Sequence, residues 1–114
     1  MAHLPLDPED AFQIKQLNEG ALYPFLHRGK RLVATRIGEN LLAFERRCPH
    51  ENADLAHGKV EDCYIICPRH HFRFSLFSGR QEPVGLFLNT YPIEEKENEL
   101  GIHFPDSFWK RWFG

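Results

Sequence analysis

Two short motifs constrain this chain more than any other feature: Cys48-Pro49-His50 and, after sixteen intervening residues, Cys67-Pro68-Arg69-His70. Each motif supplies one thiolate and one imidazole, a ligand set that selects zinc, iron or copper over calcium or magnesium. The 114 residues correspond to one domain of ordinary size. The sequence therefore predicts one four-ligand metal site, presented by two loops of a single fold.

The rest of the chain has the pattern of short strands separated by turns. Alternation of apolar and polar residues, or a short apolar run, predicts strands at 12–17, 22–27, 31–37, 41–45, 64–66, 72–76, 89–93 and 100–104. The first motif follows the strand at 41–45, and the second follows the strand at 64–66. The prediction is an all-β fold, a small antiparallel barrel or sandwich with both metal-binding loops at one tip.

Composition separates the ends of the chain from this β region. Residues 1–11 are rich in proline and acidic residues and are predicted to be a loose leader. Residues 12–104 are predicted to form the domain, with its metal-binding part at about 46–85. Residues 105–114 form an aromatic tail that contains both tryptophans.

The net charge, the N-terminal residues and the number of cysteines exclude several classes of function. A net charge of −2 provides no basic field for nucleic acid, and the N-terminal residues have neither the basic start nor the apolar run of a signal peptide or membrane anchor. Three cysteines are an odd number for a disulfide framework. We therefore expect a cytoplasmic protein with no membrane span.

The spacing of the ligands favours a two-metal centre. If each loop gives one ligand to each metal, Cys48 and Cys67 share one iron while His50 and His70 share the other, as in a [2Fe–2S] centre with two histidine ligands. A structural zinc site with two Cys and two His is the alternative. Zinc modules, however, usually pair Cys with Cys and His with His along the chain.

The residues around both motifs resemble those of the Rieske iron–sulfur family. Residues 48–60 are similar to its first cluster-binding loop and residues 67–79 to its second, and a segment around Pro83 resembles the third loop, which covers the cluster. The resemblance extends from about Phe12 to Phe104. It implies a Rieske-like fold with a cluster-binding subdomain.

The resemblance also implies the cofactor and its ligands. One [2Fe–2S] cluster per chain would be held by Cys48 and Cys67 on the inner iron, and by His50 and His70 on the outer, solvent-facing iron.

Two loop positions depart from the family pattern. Asn52 and His71 stand where the family usually has glycine. Both residue types enter the left-handed region more often than most non-glycine residues, so we expect the same turns.

High-potential members of the family carry a disulfide between the loops and hydroxyl groups that donate hydrogen bonds to the cluster sulfurs. The corresponding positions here are Ala53, Arg69, Phe72 and Phe74, which provide neither. Donors to the sulfurs stabilise the reduced state, so we expect a low reduction potential.

The function implied by the resemblance is that of an electron carrier, not an enzyme. The chain is expected to be a monomeric Rieske-type ferredoxin that carries one electron from a flavin-containing reductase to a terminal oxygenase or similar acceptor. The alternative is the small Rieske-like subunit of an assimilatory nitrite reductase, many of which lack the cluster ligands. A zinc-stabilised interaction module is the third interpretation. With 114 residues, we do not expect the chain to be the catalytic subunit of an oxygenase, which in this family adds a large mononuclear-iron domain.

Other cysteine, arginine and histidine side chains lie near the motifs or elsewhere in the chain. Cys63 lies in the apolar run at 63–66 and is predicted to be a buried thiol without a ligand role. Four arginines flank the predicted ligands and are either a positive rim for an acidic partner or ordinary solvated charges: Arg46, Arg47, Arg69 and Arg73. His3, His27, His57 and His103 are predicted to have no functional role.

Overall fold

The computed structural model describes residues 2–49, 52–69, 71–79, 81–82 and 86–104. Its elements are β1 (Ala2–Pro5), α1 (Pro8–Lys15), β2 (Tyr23–His27), β3 (Lys30–Ile37), β4 (Asn40–Glu45), a 3₁₀ helix (Leu55–His57), β5 (Lys59–Glu61), β6 (Tyr64–Ile66), β7 (Arg73–Ser75), β8 (Gln81–Glu82), β9 (Thr90–Lys96) and β10 (Glu99–Phe104).

The strands form two antiparallel sheets. Six strands are arranged in the order β1-β10-β9-β4-β3-β2, and four in the order β5-β6-β7-β8. The larger sheet closes part of a barrel, and the smaller sheet is the subdomain that carries the second predicted loop. The prediction of an antiparallel all-β fold is confirmed, although β1, β5 and β8 were not predicted.

The middle of the larger sheet is buried on both faces. Leu32 and Ala34 of β3 pack into one core together with Ile14 of α1, whereas Val33 of β3 and Phe44 of β4 pack into a second core. Side chains alternate between the two faces of a strand, so neighbouring residues of β3 contribute to different cores. This explains why β3 contains a run of buried residues instead of an alternating pattern.

The N-terminal prediction is wrong in two respects. Residues predicted as a loose leader include β1, which pairs with β10, and the start of α1. The predicted strand at 12–17 is largely helix because Asp7 caps α1 by accepting the N–H of Glu9 at 3.0 Å. A strand would place Phe12 and Ile14 on one face, but Phe12 is 62% exposed and Ile14 is fully buried.

The C-terminal end of α1 is attached to β3 by the side chain of Arg36. Its Nε donates to the carbonyl of Leu17 at 2.7 Å and one Nη donates to the carbonyl of Lys15 at 3.2 Å. These carbonyls have no partner within a helix that has ended. Arg36 therefore fixes the helix against the larger sheet.

Several predictions fall outside the described residues. They concern the histidines of both motifs, the Pro83 segment and the aromatic tail: His50, His70, Pro83 and 105–114. Within the described part of the chain, no helix has the length and apolar character needed to cross a membrane.

Candidate metal centre

The two motif cysteines lie in one buried cluster. Cys48 and Cys67 are both fully buried, and neither forms a disulfide. Both pack in the second core, where their neighbours include Phe44, Leu55 and Phe74. The fold therefore brings together two thiols that are nineteen positions apart in the sequence.

The two cysteines begin loops with the same backbone closure. The N–H of Cys48 donates to the carbonyl of Ala53 at 2.9 Å, and the N–H of Cys67 donates to the carbonyl of Phe72 at 2.8 Å. In each loop the bond joins the cysteine to the fifth residue after it. We refer to residues 48–53 as loop 1 and to residues 67–72 as loop 2.

The loops also share a left-handed residue at the same position. Asn52 has φ 59° and His71 has φ 57°, and each stands four places after its cysteine. In loop 1 the turn is reinforced by the N–H of Asn52, which donates to the carbonyl of Cys48 at 2.9 Å. Asn and His thus adopt the conformation for which glycine is usually selected, as predicted.

Gly58 connects the two loops through close backbone packing. A Cβ at this position would overlap the carbonyl oxygen of Ile66, the residue before Cys67, and would lie 3.2 Å from the carbonyl oxygen of Leu55. The φ of Gly58 is −81°, so the position requires glycine for space and not for its backbone conformation. Sequence reasoning missed this role, since a lone glycine in a loop carries no signal of what it will contact.

An ion pair closes the base of loop 1. Arg46 Nε donates to Asp54 Oδ1 and Arg46 Nη2 donates to Asp54 Oδ2, both at 2.9 Å, in the bidentate geometry favoured by guanidinium and carboxylate. Asp54 also accepts the N–H of Ala56 at 2.9 Å, which caps the 3₁₀ helix. The hydrogen bond from Arg46 lowers the pKa of Asp54 and raises the pKa of Arg46 itself.

This ion pair modifies the interpretation of the arginines near the motifs. The charge of Arg46 is compensated within the protein by Asp54, which sequence reasoning did not single out. Arg73 lies over the ring of Tyr64, with its Cζ 4.6 Å from the ring centroid. Arg47 and Arg69 are exposed.

The prediction that Cys63 is buried is wrong. Cys63 is exposed in the two-residue turn between β5 and β6, where Glu61 pairs with Tyr64. Asp62 and Cys63 have φ values of 49° and 68°, as in the type I′ turns that join antiparallel strands. The buried run starts only after this turn, and Cys63 remains without an assigned ligand role.

The cysteines suit a thiolate-binding metal centre. Two buried thiols at equivalent positions of two matched loops can supply two ligands to one metal ion, and thiolates select iron, copper or zinc. Among the described residues, no set of three or more His, Cys, Asp or Glu side chains is arranged to hold a metal ion. The predicted partners His50 and His70 are not among those residues, so the complete ligand set stays a prediction.

An antiparallel β fold that presents two such cysteine loops, one after a strand of each sheet, defines a class of iron–sulfur domain. The chain belongs to the Rieske [2Fe-2S] domain family, which matches residues 8–86. The cofactor of this family is one [2Fe–2S] cluster, as the motifs predicted.

Known proteins similar to this chain include ferredoxins of dioxygenase systems. The ferredoxin component of the naphthalene 1,2-dioxygenase system of Pseudomonas aeruginosa is 30% identical over 87 residues, which are 75% of this chain and 84% of that protein. A chain from the complex of reduced oxygenase and oxidized ferredoxin in carbazole 1,9a-dioxygenase superposes with a TM-score of 0.68 at 26% identity, covering 79% of this chain and 95% of that chain.

A protein of the alternative class has the same fold. A putative NADPH nitrite reductase small subunit superposes with a TM-score of 0.73 at 20% identity, covering 91% of this chain and all of that chain. At this level of identity the similarity concerns the fold alone.

Proposed function

We propose that this protein is a Rieske-type ferredoxin that carries one electron from a flavin-containing reductase to a terminal oxygenase. The observation that carries the proposal is the matched pair of loops with two buried cysteines, in a chain whose relatives are ferredoxin components of dioxygenase systems. As an electron carrier it does not itself transform a substrate. When bound, the [2Fe–2S] cluster supplies the one-electron redox couple.

The role of the chain is to hold the cluster at the end of a rigid fold. In this proposal, Cys48 and Cys67 bind the buried iron, where the apolar second core excludes water from the thiolates. His50 and His70 bind the outer iron. A cluster-binding part at about 46–85 and a separate tail at 105–114 belong to the same proposal. The domain itself begins before residue 12, because β1 and the start of α1 are part of the fold.

The cofactor and its cysteine ligands are tested by spectroscopy of the purified holoprotein. We expect visible absorption and, after dithionite reduction, the EPR signal of a [2Fe–2S] centre. Cys67→Ser should abolish both, because it removes a buried ligand, whereas Cys63→Ser is the matched control and should retain both, because Cys63 lies exposed in a turn. A colourless protein that contains zinc would contradict the proposal.

We also propose a low reduction potential, on the order of −150 mV. Ala53 and Phe74 are buried and carry no hydroxyl, and Phe72, which is half-buried, carries none either. These side chains cannot donate a hydrogen bond to a cluster sulfur, and such donors raise the potential by stabilising the reduced state. Protein-film voltammetry measures it, and a midpoint well above zero would contradict this proposal.

The physiological partners and the location of the protein are tested by isolation from its source. We expect a monomer in the cytoplasm that co-purifies with a reductase and an oxygenase. The three cysteines form no disulfide among themselves, which suits a reducing compartment. Co-purification with a large sirohaem-containing protein would favour the nitrite reductase alternative instead.

A further inference from the structure

A cleft of about 320 Å³ adjoins loop 1. It lies between the start of β3, the end of β4 and the residues that follow β4. Its lining side chains are Lys30, Arg31, Glu45, Arg46, Arg47, Asn52, Ala53 and Asp54. Two of these residues, Asn52 and Ala53, belong to loop 1, so the cleft borders the proposed cluster site directly.

The cleft has an excess of positive charge. Arg46 and Asp54 neutralise each other in their bidentate pair. Of the remaining lining residues, Lys30, Arg31 and Arg47 are cationic and exposed. Glu45 is the one remaining carboxylate in this lining, and its Oε1 accepts a hydrogen bond from Asn89 at 2.6 Å. We refer to this site as the basic cleft.

The opposite end of the larger sheet is acidic. Because Ile37 pairs with Asn40 and Glu99 pairs with Lys96, the β3–β4 and β9–β10 turns lie together at the end far from loop 1. The carboxylates there include Glu39, Glu95, Glu97 and Glu99, and also Glu19, which accepts the N–H of Gly38 at 2.7 Å. Among the described residues, the cations of this end are fewer. They are the exposed Lys96, Lys15, which pairs with Glu95 at 2.8 Å, and Arg36, which donates to the carbonyl of Gly38 at 3.4 Å.

A net charge of only −2 therefore conceals an uneven distribution. The end with loop 1 is positive in the basic cleft, and the far end of the same sheet is negative. Separated charges of this kind orient a protein during a diffusional encounter and raise the association rate with a partner of complementary charge. Such a field would turn loop 1 toward an acidic surface.

We propose that the basic cleft docks an acidic surface of the protein that exchanges electrons with the cluster. The carboxylates of that surface pair with Arg31 and Arg47, and the contact places the partner against loop 1. This inference rests on the proposed function, because it assumes that loop 1 carries the cluster. It goes further by assigning the docking site and the charge of the partner's surface.

The direct test uses a hexaglutamate peptide as the probe and the full-length holoprotein at low ionic strength, followed by NMR. We expect saturable shifts at residues of the basic cleft, which weaken as salt is added because exposed charges are screened. Arg31→Glu should weaken the affinity at least about tenfold, and Arg31→Gln should have a smaller effect in the same direction. Hexalysine should not shift these residues.

Lys96→Glu is the matched control. It makes the same change of charge at an exposed position of the acidic end, so the affinity for hexaglutamate should change less than about twofold. Equal weakening by Arg31→Glu and Lys96→Glu would overturn the proposal, because the effect would then come from net charge alone. Displacement of the peptide by an equal concentration of inorganic phosphate would also overturn it, since the site would then bind small anions.

A kinetic test uses inorganic oxidants of opposite charge. After correction for the reduction potential of each oxidant, the rate constant for oxidation of the reduced protein should be larger with ferricyanide than with hexaamminecobalt(III). In Arg31→Glu, only the rate constant with ferricyanide should fall. Unchanged ferricyanide rates would overturn the docking proposal. The EPR spectra of the same samples test the cluster separately. If the [2Fe–2S] signal were missing while hexaglutamate still bound, the proposed function would be contradicted and the docking site would not.

Discussion

Replacing Gly58 with alanine should damage the cluster site through a backbone overlap. The new methyl group would overlap the carbonyl oxygen of Ile66, and it would lie 3.2 Å from the carbonyl oxygen of Leu55 and 3.3 Å from Cδ1 of Ile65. Leu55 and Ile65 are themselves fully buried. The overlap therefore cannot be relieved by rotating an exposed side chain.

The size of the effect follows from these contacts. The Ile66 carbonyl must retreat by more than about half an ångström to reach the ~3.3 Å separation of an ordinary carbon–oxygen contact. Overpacking of this kind typically costs about 1–3 kcal/mol. Because Ile66 directly precedes Cys67, the displacement should reach the second cysteine and reduce the fraction of chains that hold a cluster.

Gly38→Ala is the matched control for this experiment. Gly38 has φ +62° and no atom within 4 Å of the position of a Cβ, so the substitution should cost about 1 kcal/mol of backbone strain at the end of the sheet far from the loops. The assays are urea unfolding, iron content and visible absorption per folded chain. Full cluster occupancy in Gly58→Ala, equal to that of Gly38→Ala, would refute the packing argument.

Three further substitutions test separate contacts. Arg36→Met removes the hydrogen bonds to the carbonyls at the end of α1 and should lower the free energy of unfolding by about 1–3 kcal/mol in urea titrations; no change would contradict the anchoring role. Asp54→Asn should reduce the fall in the free energy of unfolding that the wild type shows at acid pH. Arg46 lowers the pKa of Asp54 in the folded state. The stabilisation from Asp54 is therefore fully present above the ordinary carboxyl pKa and is lost as pH falls through the folded-state pKa. Because the pair is partly exposed, the loss should be modest, and an unaltered fall at acid pH would oppose this reasoning. The hydrogen bond from Tyr23 to Asp10 raises the pKa of Tyr23 to about 12. Tyr23 should therefore stabilise the fold at neutral pH, and this stabilisation should be lost as pH rises from 10 toward 12. In an ultraviolet titration, Tyr23→Phe should remove the tyrosine ionisation that occurs at the highest pH.

Sequence patterns predicted the features that depend on residues close together in the chain. The hairpin of β3 and β4 was predicted because two apolar runs flank Gly38, and the structure pairs Ile37 with Asn40 across that turn. The two cysteines were recognised as ligand candidates because their spacing and the adjoining prolines are visible in the sequence. The left-handed turns at Asn52 and His71 were expected because the family usually has glycine there and because Asn and His enter this region more often than most residues. Both turns are present.

Other features depend on contacts between distant parts of the chain. β1 forms by pairing with β10, at the other end of the described residues, and a Pro-rich segment gives no sign of that partner. The turn that exposes Cys63 was missed because β5 was not recognised, although Glu61 pairs directly with Tyr64.

The sequence by itself determined the ligand types, the family resemblance and most strands, because each depends on residue chemistry or on a period of two within a short segment. Only the tertiary structure decided how loop 1 is closed and how the two loops pack against each other. Arg46 meets Asp54 across the base of loop 1, and Gly58 packs against the backbone of Ile66. The physical reason is that burial and close contact are properties of pairs of segments, whereas a sequence pattern describes one segment at a time.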